Sequence, residues 1–187
     1  METSFYSQDE LKKFRFKELG SNVHLSKKTS IYNASEISIG NNSRIDDFCI
    51  LSGKIEIGSN VHIAAGVYLY AGNHGIEIRD FVGISSRSAV YAISDDYSGN
   101  AMTNPTIPEE YRNVIGGKVI FEKHSLVGSG CTILPNLTIG EGASVGSMSL
   151  INKSLEPWGM YWGIPCRFHK PREKKILDLE KEFLQSR

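Results

Sequence analysis

The sequence predicts an all-β fold, a triangular parallel β-helix of about five rungs, and three observations carry that prediction. First, apolar side chains recur at every sixth position: Ile39, Ile45, Leu51, Ile57, Ile63 and Leu69, then after a nine-residue step Ile78, Ile84 and Val90, and in a second run Phe121, Val127, Ile133, Ile139, Val145 and Ile151. In a chain that is 40% apolar, that unbroken run has a chance probability on the order of one in a million. Second, the residue four places after each is commonly small or β-branched, as at Ser43, Cys49, Val61, Val67, Val82, Ser88, Ser125, Cys131, Ala143 and Ser149. Third, Gly40, Gly58, Gly128, Gly140 and Gly146 directly follow the large residue, where the chain must bend or pack without a Cβ. One large and one small inward side chain per hexad describes a short strand feeding a tight turn. A helix has the wrong period, and an antiparallel sandwich would alternate every two residues with loops of varied length. Three such sides close a rung of about eighteen residues.

The elements follow in chain order. Residues 1–20 form an N-terminal helical cap, because Ser7-Gln8-Asp9-Glu10 fits a capping box opening a helix through about Leu19, with Gly20 as its stop. Residues 21–170 form the β-helix. Within it, residues 95–118 (DDYSGNAMTNPTIPEEYRNVIGGK) break the period with Pro105, Pro108 and Gly116-Gly117, and are read as an external loop of the kind that carries function on a rigid scaffold. In residues 171–187, Pro171 precedes an apolar stripe at helical spacing, Ile176, Leu179 and Phe183. The two helices are expected to cover the ends of the coil, which otherwise invite edge-to-edge growth.

Composition narrows the function. The 187 residues carry 21 Lys+Arg against 21 Asp+Glu, with the cations scattered, so nothing favours nucleic acid or an anionic membrane as a partner. No apolar run approaches the roughly 20 residues of a membrane span, and METSFYSQDE has no signal-peptide pattern, which together give a cytoplasmic expectation. Cys49, Cys131 and Cys166 are odd in number and lack a C-x-x-C pairing, so they read as reduced, partly buried thiols.

The second run is more specific. Val127-Gly128, Ile133-Leu134-Pro135-Asn136, Ile139-Gly140-Glu141-Gly142, the block from Val145 to Lys153, and Gly163-Ile164-Pro165-Cys166-Arg167 resemble the C-terminal half of the hexapeptide-repeat acetyltransferases, and the likeness extends from about Gly20 to Lys170. The resembling groups are galactoside, maltose and xenobiotic acetyltransferases and sugar O- or N-acetyltransferases of polysaccharide gene clusters such as those of O-antigen. The resemblance implies a left-handed β-helix, a homotrimer, acetyl-CoA as acyl donor lying between adjacent coils, no metal, and direct attack on the thioester by a sugar or nucleotide-sugar acceptor. It also implies that Ser129, Ser147, Asn152 and Lys153 contact the pantetheine arm or its pyrophosphate region, and that Arg167 and Lys170 meet the cofactor phosphates.

The family's usual base is a histidine, and Asp95 occupies its position here, followed by Asp96. A carboxylate of ordinary pKa near 3.9 is a weak base for a hydroxyl, whereas an amine attacks from its neutral fraction and asks less of its base, so the replacement favours N-acetylation of an amino sugar. The catalytic candidates are therefore Asp95, His74 and Asp96. Asn73, beside His74 in the nine-residue step, and Tyr97 are the acceptor-binding candidates. His74 is expected about one rung from Asp95. His124 reads as a surface turn or as an approach to a neighbouring subunit's site, and Arg44, Asp46 and Asp47 as a salt-bridged trimer contact. A zinc-dependent carbonic anhydrase of similar fold needs two histidines five residues apart, and none are. A serine or cysteine hydrolase lacks its G-x-S-x-G elbow. The remaining alternative is a non-catalytic trimeric scaffold that has lost the histidine.

Overall fold

In the computed structural model, which describes residues 4–186, the six-residue rule becomes three columns of inward side chains. Parallel pairing aligns Leu19, Ile39, Ile57, Ile78, Phe121 and Ile139 on one sheet face. Leu25, Ile45, Ile63, Ile84, Val127 and Val145 align on the second. Ile31, Leu51, Leu69, Val90, Ile133 and Ile151 align on the third. Every large hexad residue from Ile39 to Ile151 is buried to 4% exposure or less. Each contributes about 1.5–3 kcal/mol by leaving water, and that gain is what holds strands of two or three residues in place.

The small positions are buried as well; the hydroxyls of Ser43, Ser88 and Ser149 are bonded to backbone, whereas Ser125 Oγ is buried with no hydrogen-bond partner among the described residues. Ser43 Oγ donates to Gly58 O (2.8 Å) and accepts from Val61 N (3.1 Å); Ser88 Oγ donates to Gly128 O (3.0 Å) and accepts from Cys131 N (3.2 Å). Serine at 43 or 88 thus costs little, because its polar atom is satisfied by a neighbouring turn. Most corners turn through a left-handed residue, for example Arg87 (φ 61°), Asn136 (φ 61°) and His124 (φ 61°).

Several expectations are corrected. The capping box exists, with Ser7 Oγ accepting from Glu10 N and Glu10 Oε2 accepting from Ser7 N, but helix α1 spans only Gln8–Lys12. It ends because Arg15 takes a left-handed conformation and Leu19 is recruited as the first member of a column. The coil therefore starts before residue 21 and has six rungs rather than about five. Leu11 is fully buried and closes the N-terminal end as expected. Helix α2, Ile176–Gln185, does not close the other end. A hairpin of Gly159–Gly163 and Cys166–Pro171 does so, burying Tyr161 and Cys166, while α2 lies along one corner against Phe81, Lys123 and His124. Residues 1–3 of the expected cap and Arg187 of the expected helix lie outside the described residues.

Candidate active site

Two irregularities in the repeat fall on the same corner, one rung apart. The nine-residue step from Leu69 to Ile78 belongs to the continuous strand Tyr68–Ile78, which bends through Gly72 (φ 50°) and Gly75 (φ 95°) and exposes Asn73 and His74 between them. One rung on, the chain leaves the coil at Ala92, whose N–H donates to Tyr70 O (2.9 Å), and returns at Gly117, whose N–H donates to Ala92 O (2.9 Å). Between them, strands Ile93–Asp95 and Val114–Gly116 pair antiparallel and form a ribbon standing off the corner.

The register of the ribbon fixes which side chains share a face. Ile93 lies opposite Gly116 and Asp95 opposite Val114, so these four lie on one side. A Cβ built on Gly116 would fall 2.5 Å from His74 Nε2 and 2.6 Å from Ala92 O. The His74 ring therefore rests against the ribbon on the side that carries Asp95, one same-side pair back, or about 7 Å along it at roughly 3.4 Å per residue. Glycine at 116 is what leaves room for the imidazole.

The two adjacent carboxylates have different surroundings. Asp96 accepts from Ser98 N (2.8 Å) through Oδ1 and from Asn113 Nδ2 (3.0 Å) through Oδ2, and the Asn113 and Ser98 hydrogen bonds hold its carboxyl below the usual range. It braces the excursion. Asp95 is half-buried, its Oδ2 accepts from Asn104 N at 3.3 Å, and its Oδ1 has no hydrogen-bond partner among the described residues. Of the two, Asp95 has the lone pairs to take a proton.

The other sequence-derived residues divide by corner. Asn152 and Lys153 are exposed on the His74 corner, further along the axis beyond Asn136. Tyr97 is 91% exposed on the excursion. Ser129 and Ser147 occupy the next corner, where Met148 N donates to Ser129 O (2.8 Å), so one protomer does not bring them to Asp95. Arg167 and Lys170 lie on the final hairpin, opposite Trp162 and Met160, with exposed Trp162 and Phe168 nearby. Sequence reasoning missed Gly116 and Arg112, both inside the excursion it had marked; only the strand pairing of the ribbon gives them a side.

His124 is not a surface turn. It is 8% exposed, stacks on Phe81 and bonds Glu180 Oε2 at 2.8 Å, while Arg172 Nη1 donates to His124 O and Gly142 O, both at 2.9 Å. It docks α2 on a corner other than the one that carries the excursion. Arg44 forms an ion pair with Asp46, which His62 also meets at 2.8 Å, and Lys28 forms one with Asp47. The three cysteines are buried and free, and burial pushes the Cys49 thiol up to about 11. Among the described residues no group of three or more His, Cys, Asp or Glu could hold a metal ion.

The model of the bacterial transferase hexapeptide family (six repeats) matches residues 36–71. A dTDP-4-amino-4,6-dideoxy-D-glucose acyltransferase of Escherichia coli is 40% identical over 186 residues, covering 98% of this chain and 96% of its own. AntD, an N-acyltransferase from Bacillus cereus, is 58% identical in its crystal structure with dTDP and 3-hydroxybutyryl-CoA, with a TM-score of 0.97 and coverage of 99% and 98%. A serine-to-alanine variant of AntD in complex with dTDP-4-amino-4,6-dideoxyglucose and coenzyme A superposes with a TM-score of 0.98 over both complete chains at 57% identity. A hexapeptide-repeat acetyltransferase from Vibrio cholerae, 18% identical with a TM-score of 0.60 over 92% and 84% of the chains, shares the fold.

Proposed function

The chain belongs to the hexapeptide-repeat acyltransferases, and from that premise we propose that it moves an acyl group from an acyl-CoA to the 4-amino group of a dTDP-linked 4-amino-4,6-dideoxyhexose. The observation that carries the reading is Asp95: a half-buried carboxylate with a free oxygen, fixed on a ribbon face it shares with His74. The amine nitrogen attacks the thioester carbonyl carbon, forming the C–N bond and an oxyanion. Asp95 takes the proton that the nitrogen sheds, the oxyanion collapses, the C–S bond breaks, and the thiolate leaves and is protonated. His74 orients the acceptor beside Asp95. The attacking nitrogen becomes acidic as it forms its fourth bond, so a carboxylate suffices where a hydroxyl acceptor would need a stronger base.

The working assembly is a homotrimer. Supporting this is the sheet face between the Asp95 corner and the Ser129 corner, which carries exposed Tyr32, Tyr68 and Leu134, with exposed Phe48 and Met148 at its edge. Covering that face with a second copy sets one protomer's Asp95 beside the partner's serine corner, so that the acyl-CoA lies between coils, with Ser129, Ser147, Asn152 and Lys153 along the pantetheine arm and Arg167 and Lys170 on its phosphates. Both substrates are anionic and made inside the cell, which gives a cytoplasmic enzyme of nucleotide-sugar biosynthesis.

The test is CoA thiol release and product mass with acetyl-CoA or 3-hydroxybutyryl-CoA and dTDP-4-amino-4,6-dideoxyglucose. Turnover is expected with the amine and not with the 4-hydroxy analogue. Asp95→Asn should lower kcat by about 100-fold or more, within the range for a general base, with little change in KM. Asn at 95 retaining kcat/KM within about threefold, under roughly 1 kcal/mol of transition-state stabilisation, would remove Asp95 from the reaction.

A further inference from the structure

Arg112 ends the irregular part of the excursion just before the ribbon. Its backbone is extended (φ −109°, ψ 151°), its N–H donates to Glu109 O (3.0 Å), and it bridges Met102. It lies two residues before Val114, the partner of Asp95, and continuing the ribbon's alternation back from Val114 puts it on the side of Asp95 and His74, with Asn113, which bonds Asp96, on the other.

The side chain is half-buried, and its Nε is enclosed with no hydrogen-bond partner. Among the described residues its guanidinium is in no ion pair. Asp96 is taken by Ser98 and Asn113, Asp95 accepts from Asn104, and Glu109 and Glu110 are exposed. Arg44, Arg79 and Arg172, by contrast, each have an internal carboxylate or carbonyl partner. A guanidinium is always charged and presents a planar fork that fits phosphate oxygens two at a time. A fork held in the excursion with its inner N–H unspent is free to take an anion.

We propose that Arg112 is the acceptor's anion anchor, gripping the diphosphate of the nucleotide-linked sugar and thereby delivering the amino group to Asp95. The proposal rests on the nucleotide-sugar reading above. Its geometry is that of the ribbon: successive same-side residues are about 7 Å apart, which is about the span of a hexose ring from its anomeric phosphate to its 4-amino nitrogen. A phosphate at Arg112 therefore leaves the amine at Asp95, with His74 beyond it. No base contact is needed for that placement, so the anchor reads the diphosphate and not the nucleoside.

Calorimetric titration of the full-length protein with dTDP and with thymidine, for the wild type, Arg112→Gln and Arg112→Lys, tests this together with steady-state KM values. Expected are a Kd for dTDP raised about tenfold or more in Arg112→Gln, a smaller rise in Arg112→Lys, which keeps the charge and loses the fork, unchanged thymidine binding and an unchanged KM for acyl-CoA. Wild-type affinity for dTDP in Arg112→Gln overturns the anchor. A rise in the acyl-CoA KM instead, or equal loss of dTDP and thymidine, also overturns it, showing a donor-side or purely structural role. Should Arg112→Gln fail to fold, the Lys variant decides by the same dTDP-to-thymidine comparison. If the wild type binds acyl-CoA but neither dTDP nor the sugar nucleotide, the acceptor reading itself falls, a result distinct from failure of the anchor alone.

Discussion

Gly116→Ala tests whether His74 works where the ribbon holds it. The added Cβ would lie 2.5 Å from His74 Nε2 and 2.6 Å from Ala92 O, against an ordinary contact of 3.4–4 Å, so the ring or the ribbon must give by about 1 Å. Ala92 O is backbone, tied to Gly117 N at 2.9 Å, and cannot retreat freely, so the ribbon strand at Gly116 must shift to relieve that contact, while the imidazole, exposed on its other side, is pushed away. Gly116 is not among the positive-φ glycines, so alanine adds crowding without backbone strain. Overpacking of this kind costs about 1–3 kcal/mol of stability, which leaves a folded protein, while a 1 Å misplacement in a site costs on the order of 100-fold in rate. Thiol-release kinetics should show kcat/KM for the amino-sugar nucleotide down by about 10- to 100-fold, with the acyl-CoA KM within about twofold. In a His74→Ala background the same change should cost clearly less, because only the contact with Ala92 O remains to shift the ribbon. Gly116→Ala at full kcat/KM, or an equal penalty in both backgrounds, would refute the argument that His74 and the ribbon act as one unit.

Two further outcomes follow from burial. Native protein should show no reaction of Cys49 with a thiol reagent at pH 8, since its thiol is pushed up to about 11 and Sγ faces Ala64 O at 3.2 Å; all three thiols should react after unfolding. Cys131→Ser should change stability by less than about 1 kcal/mol, because Cys131 Sγ and Ser149 Oγ both point to Gly146 O and serine already fills the same column; a larger drop in Tm would show that the column discriminates. Glu180 gives a pH dependence. Burial alone would raise its carboxyl, but hydrogen bonds from Lys123 and His124 and their charge outweigh burial and hold it below 4.5. A depressed carboxyl pKa contributes stability above the unfolded value and loses it as pH falls through the folded one. Hydrogen exchange should therefore find α2 docked at neutral pH and increasingly open below pH 4.5, and Glu180→Gln should abolish that acid limb.

The coil was legible because its signal is redundant: any one hexad is weak, but each side chain is checked by the aligned residues above and below it. Leu19, Leu25 and Ile31 follow the same rule; Leu19 was read as the end of a helix because of the capping box upstream, and Leu25 and Ile31 lay in the expected coil but apart from the unbroken run, which an eight-residue step separates from Ile39. The site was half legible. Two of the places where the period fails carry His74 and Asp95, and a break in a strong pattern is itself a signal. The sides of the ribbon were not legible. No periodicity links residue 74 to 116, and whether residue 112 shares a face with 95 depends on a register set by pairing across 18 intervening residues. His124 was misread for the same reason, since its partner Glu180 is 56 positions away.

The irregular insertions are tolerated because the rungs around them keep register. Ile78 and Phe121 remain aligned although 43 positions apart, and Ala92 hands its carbonyl directly to Gly117, so the excursion is closed off at its base by a hydrogen bond the coil needs in any case. Sequence can change between residues 96 and 113 without moving the core, while the ribbon ends at 93–95 and 114–116 stay pinned to the scaffold. That division suits an enzyme that must hold a base to within a fraction of an ångström while its acceptor contacts vary. In the proposed reaction it also explains why a modest carboxylate is enough. Asp95 need not be a strong base if the diphosphate at Arg112 and the imidazole at Gly116 bracket the acceptor so that its amine has one place to go, and positioning alone can supply about 7–11 kcal/mol of a bimolecular barrier.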